Sequence, residues 1–99
     1  MRYHILTTEH FNRWLARIRD RQAARAIAQR LDRAAAGNLG DIKPVGQGVS
    51  EMRVFAGPGY RLYFSIRDGE IIILLCGGKK SGQSRDIATA QRILSELEV

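Results

Sequence analysis

The sequence predicts one α+β domain in which a helical hairpin packs on one face of a small, mainly antiparallel sheet. Three observations predict this fold class. The chain has 99 residues, a length that is typical of one domain. Its first third carries apolar residues at helical spacing, and from residue 37 onward glycine-rich turns separate β-type segments. The predicted order of elements is β-α-α-β-β-β-β-α.

The helical hairpin follows a short strand that is predicted over residues 3–6. Thr8 is a suitable N-cap for the first helix, and apolar residues lie after it at i, i+3, i+4 and i+7. These residues are Phe11, Trp14, Leu15 and Ile18. A break near Arg19 and Asp20 precedes the second helix, which is predicted over 21–36.

Four further strands and a last helix complete the prediction. The strands cover 41–45, 49–55, 60–67 and 70–76, and the helix covers 83–97. The pair Asp68-Gly69 indicates a two-residue hairpin that sets Arg67 opposite Glu70, and a polar loop is expected over 77–82. In that register one face is apolar and is expected to pack against the helical hairpin. Its members are Leu62, Phe64, Ile66, Ile71, Ile73 and Leu75.

The chain is basic, and arginine carries most of its positive charge. There are 16 Lys+Arg against 10 Asp+Glu, a formal net charge of +6, and 13 of the 16 cations are arginine. The planar guanidinium group suits phosphate and stacks on bases. The composition therefore indicates a nucleic acid or an acidic protein as partner, with a merely solvated basic surface as the alternative.

Several classes of protein are excluded by other features of the sequence. The single cysteine, Cys76, excludes an internal disulfide and a Cys-rich zinc site, and no cluster of metal ligands is apparent. No apolar run reaches the ~18 residues of a membrane span. The first residues lack the apolar core of a secretory signal. We therefore expect one cytoplasmic domain over 1–99, with no cofactor, no metal and no membrane partner.

Two predicted neighbouring strands bring two arginines together. A loop of odd length between these strands keeps Arg53 out of the core and sets it opposite Arg61. Like charges in direct opposition are unfavourable. Either Glu51 neutralises this pair or an anion does, and a phosphate between two guanidinium groups is the natural anion.

Further polar side chains extend this candidate site. Lys79 and Lys80 leave the same sheet near Arg61, and Gln83 at the start of the last helix adds a donor for an anion. The arginines of the predicted hairpin recur at multiples of four residues: Arg17, Arg21, Arg25 and Arg33. They form either an RNA-binding surface or a solvated outer face.

A series of short motifs extends over residues 3–95. The motifs are Arg30-Leu-x-Arg33, Gly37-Asn38-x-Gly40-Asp41, Gly46-x-Gly48-Val49-x-Glu51-x-Arg53, Gly57-Pro58-Gly59-Tyr60-Arg61-x-Tyr63, Leu75-x-Gly77-Gly78-x-Lys80-x-x-Gln83 and Asp86-Ile87-x-x-Ala90. In this order and spacing the chain resembles the RelE/ParE superfamily of type II toxins. The resemblance is to its HigB-like branch, the addiction module killer proteins.

The resemblance implies a RelE-like fold and a toxin that a cognate antitoxin, typically a helix-turn-helix protein, neutralises in a hetero-oligomer. RelE-like members cut mRNA in the ribosomal A site. The ribose 2′-OH is the nucleophile, a 2′,3′-cyclic phosphate is the product, and no metal is needed. Carried to this sequence, the catalytic positions are Arg53, Arg61, Tyr63 and Lys80, with Lys79 as a further candidate. The arginines would stabilise the developing charge, Tyr63 would hydrogen-bond or stack on a base, and a lysine is the candidate base.

Two other functions fit the same resemblance. The shared fold also permits a ParE-like inhibitor of DNA gyrase, which binds its target instead of cutting it. A weakly active module that is retained for antitoxin binding is the other alternative, because the matching site positions contain no histidine.

Overall fold

The structure of the protein, a computed structural model, describes residues 2–97. Within this range the elements follow one another in the predicted order. They are β1 (His4–Thr7), α1 (Glu9–Ala16), α2 (Arg21–Ala35), β2 (Ile42–Gly46), β3 (Val49–Val54), β4 (Tyr60–Arg67), β5 (Ile71–Lys79), a 3-10 turn (Lys80–Gly82) and α3 (Gln83–Leu97). The described part of the chain contains no helix that is long and apolar enough to cross a membrane.

The strands form one sheet in the order β1-β5-β4-β3-β2. Only the pairing of β1 with β5 is parallel, and the other three pairings are antiparallel. The two helices of the hairpin lie between β1 and β2 in the chain, so they connect one edge of the sheet to the other. The predicted α+β fold with a mainly antiparallel sheet is confirmed.

Side-chain caps fix where the helices of the hairpin begin. The hydroxyl of Thr8 accepts a hydrogen bond from the N–H of Phe11 at 3.1 Å, as the sequence predicts, and also lies within hydrogen-bond distance of two carbonyls of β5. The carboxylate of Asp20 caps α2 by accepting from the N–H of Gln22 at 2.9 Å. These caps satisfy donors that the first turn of a helix leaves free.

Each face of the sheet has its own apolar cluster. The helical hairpin packs on one face through Phe11, Ala23, Ile27 and Ala34, which meet Met52, Leu62, Phe64, Ile72 and Leu74 of the strands. The other face packs against α3 through Ala90 and Leu94, which meet Val49, Tyr63, Ile73, Leu75 and Cys76. The sheet is therefore the middle layer of three.

The predicted pairing of β4 with β5 is wrong by one residue next to the hairpin turn and by two residues beyond a bulge. Arg67 lies opposite Ile71, not Glu70, and a bulge follows between Tyr63 and Phe64. Leu62 and Phe64 face the helical hairpin as expected, but Ile73 and Leu75 face α3. Because residues 71–76 are apolar at every position, no alternation of polar and apolar residues indicates the register of β5.

The strand β5 also extends through residues 77–79, which the sequence analysis assigned to a polar loop. Gly77 and Gly78 make this possible because both helical layers approach the backbone here. A Cβ atom at Gly77 would overlap the indole ring of Trp14 in α1, and a Cβ at Gly78 would overlap the carboxylate of Asp86 in α3. These glycines therefore serve close packing of the layers.

We predict that Gly77→Ala lowers the free energy of unfolding by about 1–3 kcal/mol, the usual cost of overpacking a core. The cost should shrink in a Trp14→Leu background, because the smaller side chain leaves room for the added methyl group. Urea unfolding of the wild type, both single variants and the double variant measures this coupling. Equal costs in the two backgrounds would contradict the proposed contact.

Candidate functional site

The pairing of β3 with β4 brings the two predicted arginines together. Arg53 lies opposite Arg61, Glu51 opposite Tyr63 and Met52 opposite Leu62. This is the register that the sequence analysis favoured, and it keeps Met52 and Leu62 in the core. The arginines consequently lie on the same face of the sheet as α3.

Glu51 neutralises one of the two arginines. Its side chain is fully buried, and its carboxylate accepts from the guanidinium group of Arg61, which is itself 10% exposed. Gln83 of α3 donates to the other carboxylate oxygen at 2.8 Å. The Nε of Arg53 lies 3.6 Å from the same carboxylate, and this arginine is 40% exposed. Of the two ways to neutralise the arginines, Glu51 or a bound anion, the structure has the buried Glu51 carboxylate between them. The side chain of Arg53 nevertheless remains partly exposed to solvent.

Lys80 is the third cation at this place. Its backbone N–H donates to the carbonyl of Gly59 at 3.0 Å, which ties the 3-10 turn to the turn between β3 and β4. A groove of about 420 Å³ lies here, with Arg53, Phe55, Tyr60, Arg61 and Lys80 in its wall. We call it the arginine–lysine groove. It contains three of the five predicted catalytic residues.

Lys79 lies outside the arginine–lysine groove. It pairs with Tyr60 across the sheet, so its side chain leaves on the face of the helical hairpin. There it lines a different groove together with Trp14 and Arg17. Lys79 is the last residue of β5 and Lys80 is the next residue in the chain, and the two thus line different grooves. The prediction that both lysines join the arginines is wrong for Lys79.

Tyr63 is also outside the arginine–lysine groove. Its side chain is fully buried beneath α3, and its hydroxyl has no hydrogen-bond partner. Burial raises the pKa of Tyr63, and the carboxylates of Glu51 and Asp86 add to that shift. A ring in this position is not available to stack on a base, so the structure does not support the direct contact expected of it.

The other predicted binding residues have separate surroundings. The amide of Gln83 is engaged by Glu51, so it positions that carboxylate. Arg17, Arg21 and Arg25 are exposed, but residues 17–20 break the path between α1 and α2. The predicted RNA-binding surface is therefore not continuous, and none of these three arginines lines the arginine–lysine groove.

Arg30 is a residue whose role the sequence analysis missed. It is buried, donates to the carbonyl of Leu39 and also to the carbonyl of Arg53 at 3.4 Å. A Cβ atom at Gly40 would overlap the Arg30 guanidinium group. Burial and the neighbouring Arg33 lower the pKa of Arg30. The helical spacing carried a signal for this role, because Arg30 is in phase with the buried residues Ala23, Ile27 and Ala34.

A second groove lies at the end of β5 between α1 and α3, and its lining residues include His10, Arg13, Trp14, Arg17, Lys79 and Asp86. One carboxylate oxygen of Asp86 is buried without a hydrogen-bond partner. Burial raises the pKa of Asp86, whereas Arg85 and His10 act in the opposite direction. His10 thus lines this groove and not the arginine–lysine groove.

Cys76 has a packing role in the cluster between the sheet and α3. The thiol is buried against α3 and donates to the carbonyl of Asp86 at 3.4 Å. Burial raises the pKa of Cys76 to about 12, so the thiolate needed for nucleophilic attack is scarce at neutral pH. Across residues 2–97, no group of three or more His, Cys, Asp and Glu side chains is placed to hold a metal ion.

Comparison with known proteins identifies relatives of this chain. An uncharacterised protein of Haemophilus influenzae is 42% identical over 97 residues, and the match covers 98% of each chain. The chain belongs to the same family as that protein. No protein-family model matches the chain.

Solved structures of toxins share its fold. A double arginine-to-alanine mutant of the Escherichia coli toxin RelE in the free state superposes with a TM-score of 0.74 at 16% identity, over 94% of this chain and 99% of the other. The toxin–antitoxin complex RelBE2 of Mycobacterium tuberculosis gives a TM-score of 0.62 at 20% identity, over 81% of this chain and 100% of the matched chain. The protein has the RelE fold.

In this RelE-fold domain, we predict that Arg61→Ala lowers the free energy of unfolding by about 3–5 kcal/mol, because it removes the charged group that hydrogen-bonds to the buried Glu51 carboxylate and leaves only Arg53, whose Nε lies 3.6 Å away. Adding Glu51→Gln should restore most of that loss, since a neutral amide needs no counter-charge. Urea unfolding of the single and double variants measures both effects. An Arg61→Ala variant as stable as the wild type would contradict the buried ion pair. Loss of activity in Arg61→Ala alone therefore does not establish a catalytic role.

Proposed function

We propose that this protein is the toxin of a type II toxin–antitoxin module, of the HigB-like branch, and that it cuts mRNA on the ribosome in the cytoplasm. The observation that carries the proposal is the convergence of Arg53, Arg61 and Lys80 in one open groove of a domain with the RelE fold. Three cations around one cavity, with a single buried carboxylate beneath them, suit a phosphodiester that gains negative charge during reaction.

The reaction is an in-line displacement at one phosphorus atom. The ribose 2′-oxygen loses its proton and bonds to the adjacent phosphorus, the bond to the 5′-oxygen of the next nucleotide breaks, and that oxygen takes up a proton. The products are a 2′,3′-cyclic phosphate and a 5′-hydroxyl end. Arg53 is well placed to bind a phosphate oxygen because its side chain lines the groove and is 40% exposed. Arg61 is held in a fixed orientation by Glu51 and needs little reorganisation.

Proton transfer in this groove has few candidates. No histidine is among the residues that line it, and Lys80 is its only ammonium group. We therefore assign to the protein mainly phosphate binding and charge stabilisation, with Lys80 as the candidate proton carrier. Orientation of the 2′-oxygen in line with the leaving oxygen would come from the ribosome-bound mRNA, and such positioning lowers a barrier substantially.

The proposed partner is a cognate antitoxin of the helix-turn-helix type, bound in a hetero-oligomer. The RelBE2 structure contains a toxin with its antitoxin, which supports a partner of this class for a domain of the same fold. With a net charge of +6, the chain favours an acidic surface on that partner. Size-exclusion chromatography of the protein mixed with the product of the adjacent gene tests the partnership, and separate elution of the two would oppose it.

We predict that Lys80→Ala reduces mRNA cleavage by about 100- to 1,000-fold, the usual effect of removing one group that stabilises transition-state charge. Lys79→Ala is the matched control. This variant removes the same charge one residue away, but the side chain of Lys79 lines the groove beside Trp14 and not the arginine–lysine groove. Growth after induced expression and mapping of mRNA 5′ ends measure the effect. New ends inside translated codons should appear with the wild type and Lys79→Ala and be absent with Lys80→Ala.

Other outcomes of the same experiment separate the competing functions. Growth arrest by the wild type without new mRNA ends would oppose the nuclease and direct attention to DNA gyrase, which supercoiling assays with purified protein address. No arrest and no new ends would leave a module that serves antitoxin binding. Equal loss of cleavage in both lysine variants would oppose the assignment of the arginine–lysine groove as the active site.

A further inference from the structure

Phe55 has an unusual position for a large apolar side chain. It directly follows β3, and 80% of its surface is exposed, the largest fraction among the exposed large apolar residues of the described chain. Its neighbour in the strand, Val54, is buried in the hairpin cluster. A single exposed apolar residue is common on protein surfaces, so exposure by itself assigns no role.

The surroundings of Phe55 distinguish it from a random surface residue. On one side lies the arginine–lysine groove, to which Arg61 and Lys80 belong. On the other side lies a groove of about 410 Å³ that is lined by Gln29, Arg30, Arg33, Asn38, Arg53 and Phe55. We call this second cavity the helix groove, because α2 forms one wall. Arg53 and Phe55 line both cavities, so they form the ridge between the two.

The charges in these two cavities favour an extended polyanion. Among the lining residues there are five cations and one carboxylate, that of Asp41, whose nearest oxygen is 3.9 Å from the Arg53 guanidinium group. Arg30 is already engaged by backbone carbonyls. Arg33 is exposed, so it offers its guanidinium group to a ligand in the helix groove.

We propose that Phe55 is the base-stacking residue of a single-stranded RNA path that runs from the arginine–lysine groove over Arg53 to Arg33 in the helix groove. The inference rests on the proposed function and extends it by placing the nucleotide that adjoins the scissile phosphate. Single-stranded nucleic acid is bound by cations that follow its phosphates and by aromatic faces on which its bases stack. The two grooves and the ridge between them supply both. Arg61 and Lys80 lie on one side of the Phe55 ring, and Arg33 lies on the other.

Of the α2 arginines in the RNA-binding surface that the sequence predicts, this path includes only Arg33. Arg33 and Gln29 face the helix groove, whereas Arg21 and Arg25 do not line it. The RNA would thus lie across the end of β3 and reach the last turns of α2. A strand that spans both cavities has one phosphate on each side of Phe55, and its intervening base lies against the ring.

The test is binding of a short 2′-O-methyl RNA that carries one 2-aminopurine, measured by fluorescence titration of the purified protein. The methylated ribose lacks the attacking hydroxyl, so binding is measured apart from cleavage. Phe55→Leu keeps an apolar side chain but removes the aromatic face, and we expect about 10-fold or more weaker binding with loss of 2-aminopurine quenching. Phe55→Tyr keeps the face and should bind within about 3-fold of the wild type and retain the quenching.

One further variant in the helix groove and two controls outside both grooves accompany these variants. Arg33→Ala should weaken binding and reduce its salt dependence, whereas Arg67→Ala, an exposed arginine at the end of β4, should change neither. Ile66→Ala is the control for loss of an exposed apolar side chain.

Several outcomes would overturn the RNA path. They are unchanged affinity in Phe55→Leu, equal weakening in Phe55→Leu and Phe55→Tyr, and no RNA binding by the wild type. Loss of antitoxin binding in Phe55→Leu with RNA binding intact would also overturn it and assign the ridge to the protein partner. Cleavage of ribosome-bound mRNA is measured in parallel with the wild type. Its absence would oppose the proposed nuclease, whereas intact cleavage with an unaffected Phe55→Leu variant would oppose only the stacking role.

Discussion

The buried carboxylate of Glu51 is the constraint on which the geometry of the arginine–lysine groove depends. It is fully buried, it accepts hydrogen bonds from Arg61 and from Gln83 of α3, and the Nε of Arg53 lies 3.6 Å away. A buried charge is tolerated only when it is paired and hydrogen-bonded. The same contacts that satisfy Glu51 therefore fix the orientation of Arg61 and attach the start of α3 to the sheet. Because Arg61 is committed to this pair, Arg53 and Lys80 are the cations with greater freedom to meet a ligand.

The end of β5 connects this ion pair to both helical layers. Gly77 and Gly78 leave space for Trp14 on one face and for Asp86 on the other. Immediately after them, Lys79 and Lys80 separate to different grooves. The two lysines thus belong to two different surfaces. Only one of these surfaces contains the arginine pair. Because the two adjacent lysines are separated in this way, substituting each in turn tests whether the proposed cleavage takes place in the arginine–lysine groove.

Much of the fold could be predicted from local patterns. The helical spacing of Phe11 and its neighbours and the avoidance of a buried Arg53 correctly indicated α1 and the pairing of β3 with β4. The register of β5 could not be predicted, because residues 71–76 are apolar on both faces. The positions of the candidate site residues could be predicted only where the alternation of buried and exposed residues along a strand determines them, as for Arg53 and Arg61. The burial of Tyr63 depends on where α3 packs, and the exposure of Phe55 depends on the turn that follows β3, and neither has a signal in the local sequence.

Cleavage of mRNA on purified ribosomes tests this account most directly. Ribosomes carrying a defined mRNA, with initiator tRNA in the P site and an empty A site, are mixed with the purified protein. The mRNA fragments and the chemistry of their ends are then determined. The account predicts a cut within the A-site codon, a 2′,3′-cyclic phosphate on the upstream fragment, and little or no cutting of the same mRNA without ribosomes. Intact mRNA on the ribosome, or equal cleavage of free mRNA, would contradict it.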